Sequence, residues 1–505
     1  MEHNEALRLF HAVRQGHRPT GPEAEALAGV EYLNLTFSEV NDLRGLEYFT
    51  GLRELRLSWS PLENIDGIEK LPNLEALYLD HTAPYSLAGL EKLPKLRLLS
   101  LAEADIRAFD TMGSPTVERL DLTGTRIRDL DGVERFPQLR ELDISHTPTL
   151  RNLNSISALD KLEKLELDDA NVTDVSPVFT LPGLLELEMC CRSVKDVRGI
   201  DALKNLRMLA LSFSEITSLE GICDLHELEE LYLVDTRLRN TDGIEKMRGL
   251  KKLVLHNTRI GALGGIAGLT GLRELDIGAT GISSLDGIER LTELKKLNIS
   301  GLGIDSVECL RSLSALESLN ISHTRVSDLS PLAGLTQLRS INATAAPVES
   351  AAPLAHLVNM EKLSLGGTAI DSLEGLEDMA NLRELNISNT RVDSLEPISA
   401  CRELRVLYSA YNLVSDITPV GAFSELETLQ LEGSKVDKLA DVFAGLKQLR
   451  YVNLCGLVID GIPASLESLG MHFVVDHGDE RGGRDVVMTD TVLRDQDRSR
   501  FRSRD

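Results

Sequence analysis

Residues 272–337 carry one pattern three times in succession: LRELDIGATGISSLDGIERLTE, LKKLNISGLGIDSVECLRSLSA and LESLNISHTRVSDLSPLAGLTQ. In the first of these 22-residue segments the apolar side chains are Leu272, Leu275, Ile277, Ile282, Leu285, Ile288 and Leu291, at offsets 0, 3, 5, 10, 13, 16 and 19. The next two repeat that spacing. A unit so short cannot bury its own apolar face, so a fixed period of this length means stacked units sharing one elongated core. Such units begin at Val30, Leu52, Leu74, Leu96, Val117, Leu139, Leu162, Leu184, Leu206 and Leu228. They continue at Leu250, Leu272, Leu294, Leu316, Leu338, Met360, Leu382, Leu404, Leu426 and Leu449. Of these twenty, only a short one at 96–116 and long ones at 139–161 and 426–448 depart from 22 residues.

Within a unit, offsets 3 and 5 alternate with polar neighbours, the period of a strand with one buried face. Each strand then runs parallel to that of the next unit. Offset 8 is often Thr (Thr125, Thr236, Thr258, Thr324, Thr390), and Asn412 stands there once. A hydroxyl or amide at that point is expected to satisfy the backbone of the turn. Offset 15 is usually Gly or Pro, as at Gly67, Gly132, Gly287, Pro331 and Pro397, which turns the chain into an outer half too short for a long helix. Brief 3₁₀ turns are expected there.

The run T-x-I-x-D-L-x-G-L, seen as TRIRDLDGV at 125–133 and TRVSDLSPL at 324–332, resembles the 22-residue class of leucine-rich repeats. Bacterial internalins and the leucine-rich regulatory subunit of type 1 protein phosphatase share that class. The resemblance covers residues 30–469 and concerns scaffold positions. It implies an α/β fold: a right-handed leucine-rich repeat solenoid with a parallel concave sheet, 3₁₀ turns on the convex side, and proteins bound on the concave face.

Ahead of the array, residues 4–15 read as a helix with Leu7, Phe10 and Val13 on one face, and 22–28 as a second, started by Pro22. Residues 1–29 are thus expected to cap the stack, 30–476 to form the solenoid with a closing strand, and 477–505 to be a disordered charged tail. Two units look thinly packed, because Ala343 and Ser409 replace a core leucine or isoleucine.

The net charge is −25, which argues against nucleic acid and against anionic membrane surfaces as partners. Six cysteines form no C-x-x-C pair, and no apolar leader or membrane-length run is visible, so a cytoplasmic, monomeric protein is expected. No Gly-rich phosphate loop, Ser-His-Asp arrangement or metal-ligand spacing is present, so no catalytic residue, metal or cofactor is assigned.

Offsets 2, 4, 6 and 7 should face outward from the sheet. They place Tyr32, Phe37, Trp59, Tyr78 and His81 together at the N-terminal end, with Phe37, Trp59 and His81 on adjacent strands at offset 7. Clustered exposed aromatics are typical binding anchors. An acidic zone follows: Asp121, Glu141, Asp143, Glu166, Asp168, Glu186 and Glu188, only partly offset by Arg119 and Lys164. Phe213 and Tyr232 belong to a mixed apolar patch beyond it. A protein partner with a basic surface is the expectation. A regulatory subunit of a phosphatase or cyclase, and a secreted or surface adhesin, are the alternatives.

Overall fold

The computed structural model describes residues 3–439, 442–458, 465–466 and 472–474. The expected tail at 477–505 lies outside them. The chain forms two compact units, Met1–Arg259 and Ile260–Asp505.

The first unit opens with helices α1 (His3–Arg14) and α2 (Gly21–Ala28), close to the bounds read from the sequence. Thr20 and Glu23 form a capping box at the start of α2, with the Thr20 N–H donating to Glu23 at 2.7 Å. The buried Phe10 ring of α1 meets Phe49 edge-on, with centroids 6.1 Å apart, and Arg14 reaches Asp42 at 2.7 Å. The core leucines of the first repeat are thereby covered.

Eleven three-residue strands follow: β1 (Tyr32–Asn34), β2 (Glu54–Arg56), β3 (Ala76–Tyr78), β4 (Leu98–Ser100), β5 (Arg119–Asp121), β6 (Glu141–Asp143), β7 (Lys164–Glu166), β8 (Glu186–Glu188), β9 (Met208–Ala210), β10 (Glu230–Tyr232) and β11 (Lys252–Val254). Each pairs in parallel with the next, and the central leucines stand opposite one another from Leu33 and Leu55 to Leu231 and Leu253. The short repeat still pairs Leu99 with Leu120, and the long one pairs Leu142 with Leu165. Length changes are absorbed in the outer half. A slip of one residue within a strand would turn its buried face outward.

The second unit repeats the arrangement from Glu274–Asp276 to Tyr451–Asn453, closed by a strand at His472–Val474. In both units the outer half is made of 3₁₀ turns, as expected. Two chemistries start them. Gly67, Gly132 and Gly287 adopt φ of 92°, 101° and 95°, a region closed to most residues. Where Pro stands instead, as at Pro331 and Pro397, it lies inside the first turn with its φ already suited.

The offset-8 hydroxyls do what was expected of them. Thr125, Thr147, Thr324 and Thr390 each donate to the carbonyl three residues back, at 2.6 Å, and are buried. Ser409 is not the simple packing loss that its replacement of a core residue suggested. It is fully buried, and Asn412 donates its amide to the Ser409 hydroxyl at 2.6 Å and accepts from the Val414 N–H at 3.2 Å. The serine and the asparagine are one matched substitution. Ser409→Leu alone should therefore cost about 2 kcal/mol, by crowding the amide and removing its acceptor. Adding Asn412→Thr recreates the pairing of Leu365 with Thr368, which donates to it at 2.6 Å. Denaturant midpoints of both single variants and the double should show a coupling of at least about 1 kcal/mol; simple additivity would contradict the pairing.

Candidate protein-binding face of the first unit

The backbone ladder does not stop at the three-residue strands. The offset-5 and offset-7 N–H groups go on donating to the next repeat, as in Leu35 to Arg56 at 2.8 Å, Phe37 to Ser58 at 3.0 Å and Trp59 to Asp80 at 2.9 Å. Reaching that second bond bends the chain into the left-handed region at offset 7, repeat after repeat. Phe37, Trp59 and His81 have φ of 60°, 60° and 54°. Nothing at those positions signals this in the sequence, because bulky residues are rare in that conformation. Glycine takes the same position at Gly124, with φ of 69°, so the fold has no need of an aromatic ring there.

The left-handed bend throws the three rings out from the sheet and stacks them. Phe37 and Trp59 lie 5.6 Å apart between centroids and 22° from parallel; Trp59 and His81 lie 3.8 Å apart and 20° from parallel. Phe37 remains 74% exposed and Trp59 51%. Tyr32 and Tyr78 join the cluster differently. The Arg56 guanidinium sits 4.5 Å from the Tyr78 ring centroid and 6.0 Å from that of Tyr32, and is tied to Glu54 at 2.7 Å. These two tyrosines hold a cation of the chain itself. The rings of the offset-7 column carry no such cation among the described residues.

Beyond the aromatics, Asp121, Asp143, Glu166 and Glu188 form a row at offset 4, opposite one another on β5, β6, β7 and β8. At about 4.8 Å between strands, like charges in such a row repel. Asp121 and Asp143 each use one oxygen to accept the N–H two residues on, at 2.9 Å from Thr123 and Ser145. Asn34 does the same for Thr36 at 2.9 Å. An uncharged amide thus meets the need of the fold. Glu166 and Glu188 take no such part, since the Asp168 and Cys190 N–H groups donate to Ser145 and to Asp168 instead.

The neighbouring column supplies some compensation. Arg119 pairs with Glu141 at 2.7 Å, and Lys164 with Glu166 at 2.6 Å and Glu186 at 3.8 Å. Among the described residues, Asp121, Asp143 and Glu188 have no cationic side chain within ion-pair distance. Burial, with Glu166 and Asp168 close by, raises the carboxyl of Glu188 above its ordinary range. A groove of about 350 Å³ runs from Tyr78 and Leu98 to Asp121, Asp143 and Glu166, with Arg119, Glu141 and Lys164 also in its lining.

The remaining expected residues fall apart from this group. Phe213 is exposed but belongs to the repeat of β9, six strands from His81. Tyr232 donates to Glu230, and Lys252 lies 5.1 Å from its ring. The adjacent cysteines are not both on the surface. Cys191 turns inward, its thiol donating to the Leu167 carbonyl at 2.8 Å, and burial pushes both Cys190 and Cys191 up to about 12. Neither is a ready thiolate. Among the described residues no group of three or more His, Cys, Asp or Glu is placed to hold a metal ion.

Two features escaped sequence reasoning. Asp80 accepts from Ser58 at 2.9 Å, from Ser100, and from the Ala102 N–H at 3.2 Å, which stiffens the sheet between column and row. Opposite charges also alternate at offset 1, where Arg53 pairs with Glu75 at 2.9 Å, Arg97 with Glu118, and Arg140 with Glu163.

The fold is that of known leucine-rich repeat proteins. The family model of the leucine-rich repeat domain of the endo-beta-N-acetylglucosaminidase EndoS matches residues 354–456. Among solved structures, an internalin of Listeria monocytogenes (InlF) is 26% identical, covering 57% of this chain and 84% of that one, with a TM-score of 0.54. A leucine-rich repeat protein of Leptospira interrogans is 18% identical over 88% of this chain and 99% of that one, with a TM-score of 0.51. The ectodomain of the Arabidopsis thaliana receptor kinase GASSHO1/SCHENGEN3 is 16% identical over 90% and 65%, with a TM-score of 0.55. No curated protein matches the chain. The chain is a leucine-rich repeat protein.

The raised carboxyl of Glu188 has a consequence for stability. The folded state keeps this proton to a higher pH than the unfolded chain does, so its contribution to stability falls as pH rises through that window. Glu188→Gln should stabilise the first unit near neutral pH by about 0.5 kcal/mol, a small value because the face is open to solvent. The gain should vanish at about pH 3.5, where a glutamate is protonated in both states. Denaturation midpoints at the two pH values check this; no gain at neutral pH would refute it.

Proposed function

We propose that the chain is a non-enzymatic, cytoplasmic scaffold, acting as a monomer, that captures a partner protein on the sheet face of its first unit. One observation carries this reading. An exposed stack of aromatic rings, held where glycine also serves, stands beside a row of carboxylates whose charge the backbone does not need. Side chains kept against the preferences of the fold are the ones to read as functional. The surface binds through apolar and cationic complementarity. An open sheet gives little shelter from water, which suits recognition better than catalysis. The net charge of −25 disfavours nucleic acid and anionic membranes as partners. Cys190, Cys191, Cys223, Cys309 and Cys401 are free thiols, three of them buried, which suits a reducing compartment. No helix among the described residues is long and apolar enough to cross a membrane.

The adhesin reading draws on the likeness to an internalin, and the regulatory-subunit reading on the shared repeat class. Detection of the protein outside the cell would favour the first. Capture of an intact enzyme whose activity changes on binding would favour the second.

The test compares the intact chain with the Trp59→Gly, Asp143→Asn double variant. Both replacements copy residues that the fold already accepts at those columns, Gly124 and Asn34. Captured partners should fall at least tenfold while the circular dichroism spectrum is unchanged. Retention of the same partners by the variant would move the site elsewhere.

A further inference from the structure

The geometry of this face limits the form of the partner, on the reading just given. We propose that it binds an extended segment lying across the strands, with one aromatic or large aliphatic side chain on the Phe37–Trp59–His81 column. Lysine or arginine side chains at alternate positions of that segment then meet the row Asp121–Asp143–Glu166–Glu188.

The column asks for an apolar occupant. Its rings cover one another's faces, so their edges and the outer face of Phe37 are what solvent meets. An edge-rich surface takes a further ring or an aliphatic chain. The row asks for cations. Asp121, Asp143 and Glu188 have no cationic partner among the described residues, and burial together with the neighbouring Glu166 and Asp168 raises the Glu188 carboxyl. A bound ammonium or guanidinium relieves that repulsion, whereas an anionic ligand adds to it. The groove runs from Tyr78, on the strand of the His81 repeat, to the row. Tyr78 and Leu98 line one side for the alkyl stem of a basic residue, and Asp121 and Asp143 receive its head.

An added strand is ruled out on this face, because the ladder N–H and C=O groups are already paired between repeats. The segment must therefore bind by its side chains. Three strand intervals separate Asp121 from Glu188, about 14 Å, and same-side residues of an extended chain recur about every 6.7 Å. Three basic residues at alternate positions span about 13 Å and match the row. From Trp59 to Asp121 the path crosses three intervals and three residues along the strand direction, about 17 Å. The apolar residue thus lies about five positions from the nearest basic one.

The probes are fluorescein-labelled synthetic peptides with one Phe and three Lys in that spacing, made in both chain directions. A scrambled peptide of the same composition and one with Glu for Lys are the controls. Anisotropy is read on the full chain, together with the emission of Trp59, the single tryptophan. One direction should bind at least tenfold tighter than either control, shift Trp59 emission and weaken with salt. Affinity should drop at least tenfold in Trp59→Gly and in the Asp143→Asn, Glu166→Gln, Glu188→Gln triple variant. Equal binding of the scrambled peptide, or insensitivity to these variants, overturns the proposal. Failure of every peptide, while Trp59→Gly, Asp143→Asn still loses captured partners, overturns the extended segment alone and leaves the face as the site. If the variants change neither peptide binding nor capture, both readings fall.

Discussion

Each repeat is unable to satisfy itself. Its strand is three residues long, its outer half is a turn or two of 3₁₀ helix, and its leucines find cover only against those of the next repeat. Its N–H groups reach across the boundaries too: the offset-2 group donates to the preceding repeat, as from Glu54 to Glu31, and the offset-5 and offset-7 groups to the following one, as from Leu35 to Arg56 and Phe37 to Ser58. Register is thereby fixed residue for residue, and it survives a repeat one residue short and another one residue long. The same dependence explains the two helices at the N-terminal end. They bring Phe10 and Leu27 to where a preceding repeat would otherwise have to stand.

The strictness of the scaffold decides what the sequence could reveal. Positions the fold demands recur every 22 residues, so the strands, the 3₁₀ turns and the hydroxyl caps were legible without coordinates. What was not legible depends on pairs of positions read together. Ser409 looked like lost packing and Asn412 like one more backbone cap at offset 8; only the hydrogen bond between them shows that one answers the other. The charge ladder of Arg53, Glu75, Arg97 and Glu118 needs offset 1 read down the stack rather than along the chain. Arg56 lies over the rings that made Tyr32 and Tyr78 look like anchors, a contact between neighbouring strands that no single repeat displays. The left-handed turn at offset 7 was hidden for a different reason. Glycine usually announces such a turn, and here Phe37, Trp59 and His81 adopt it.

Column by column, the face divides into side chains the scaffold uses and properties it does not require. At offset 4 the backbone needs an oxygen acceptor, which Asn34 supplies as well as Asp121 or Asp143. The negative charge is additional, and it acts against folding wherever carboxylates stand side by side. At offset 7 the backbone needs a residue that tolerates the left-handed region, which Gly124 does with no strain. The ring is additional, and it holds bulky residues in a conformation costing about 1 kcal/mol each. Stacking between the rings returns an amount of the same order, so the column is close to neutral for stability. Neither charge nor ring is explained by what keeps the stack together. Both lie within the first unit, a groove leads from Tyr78 to the row, and their chemistries are complementary to a segment that is apolar at one point and cationic at several. That coincidence, more than the fold class, is what makes this face the place to look for a partner.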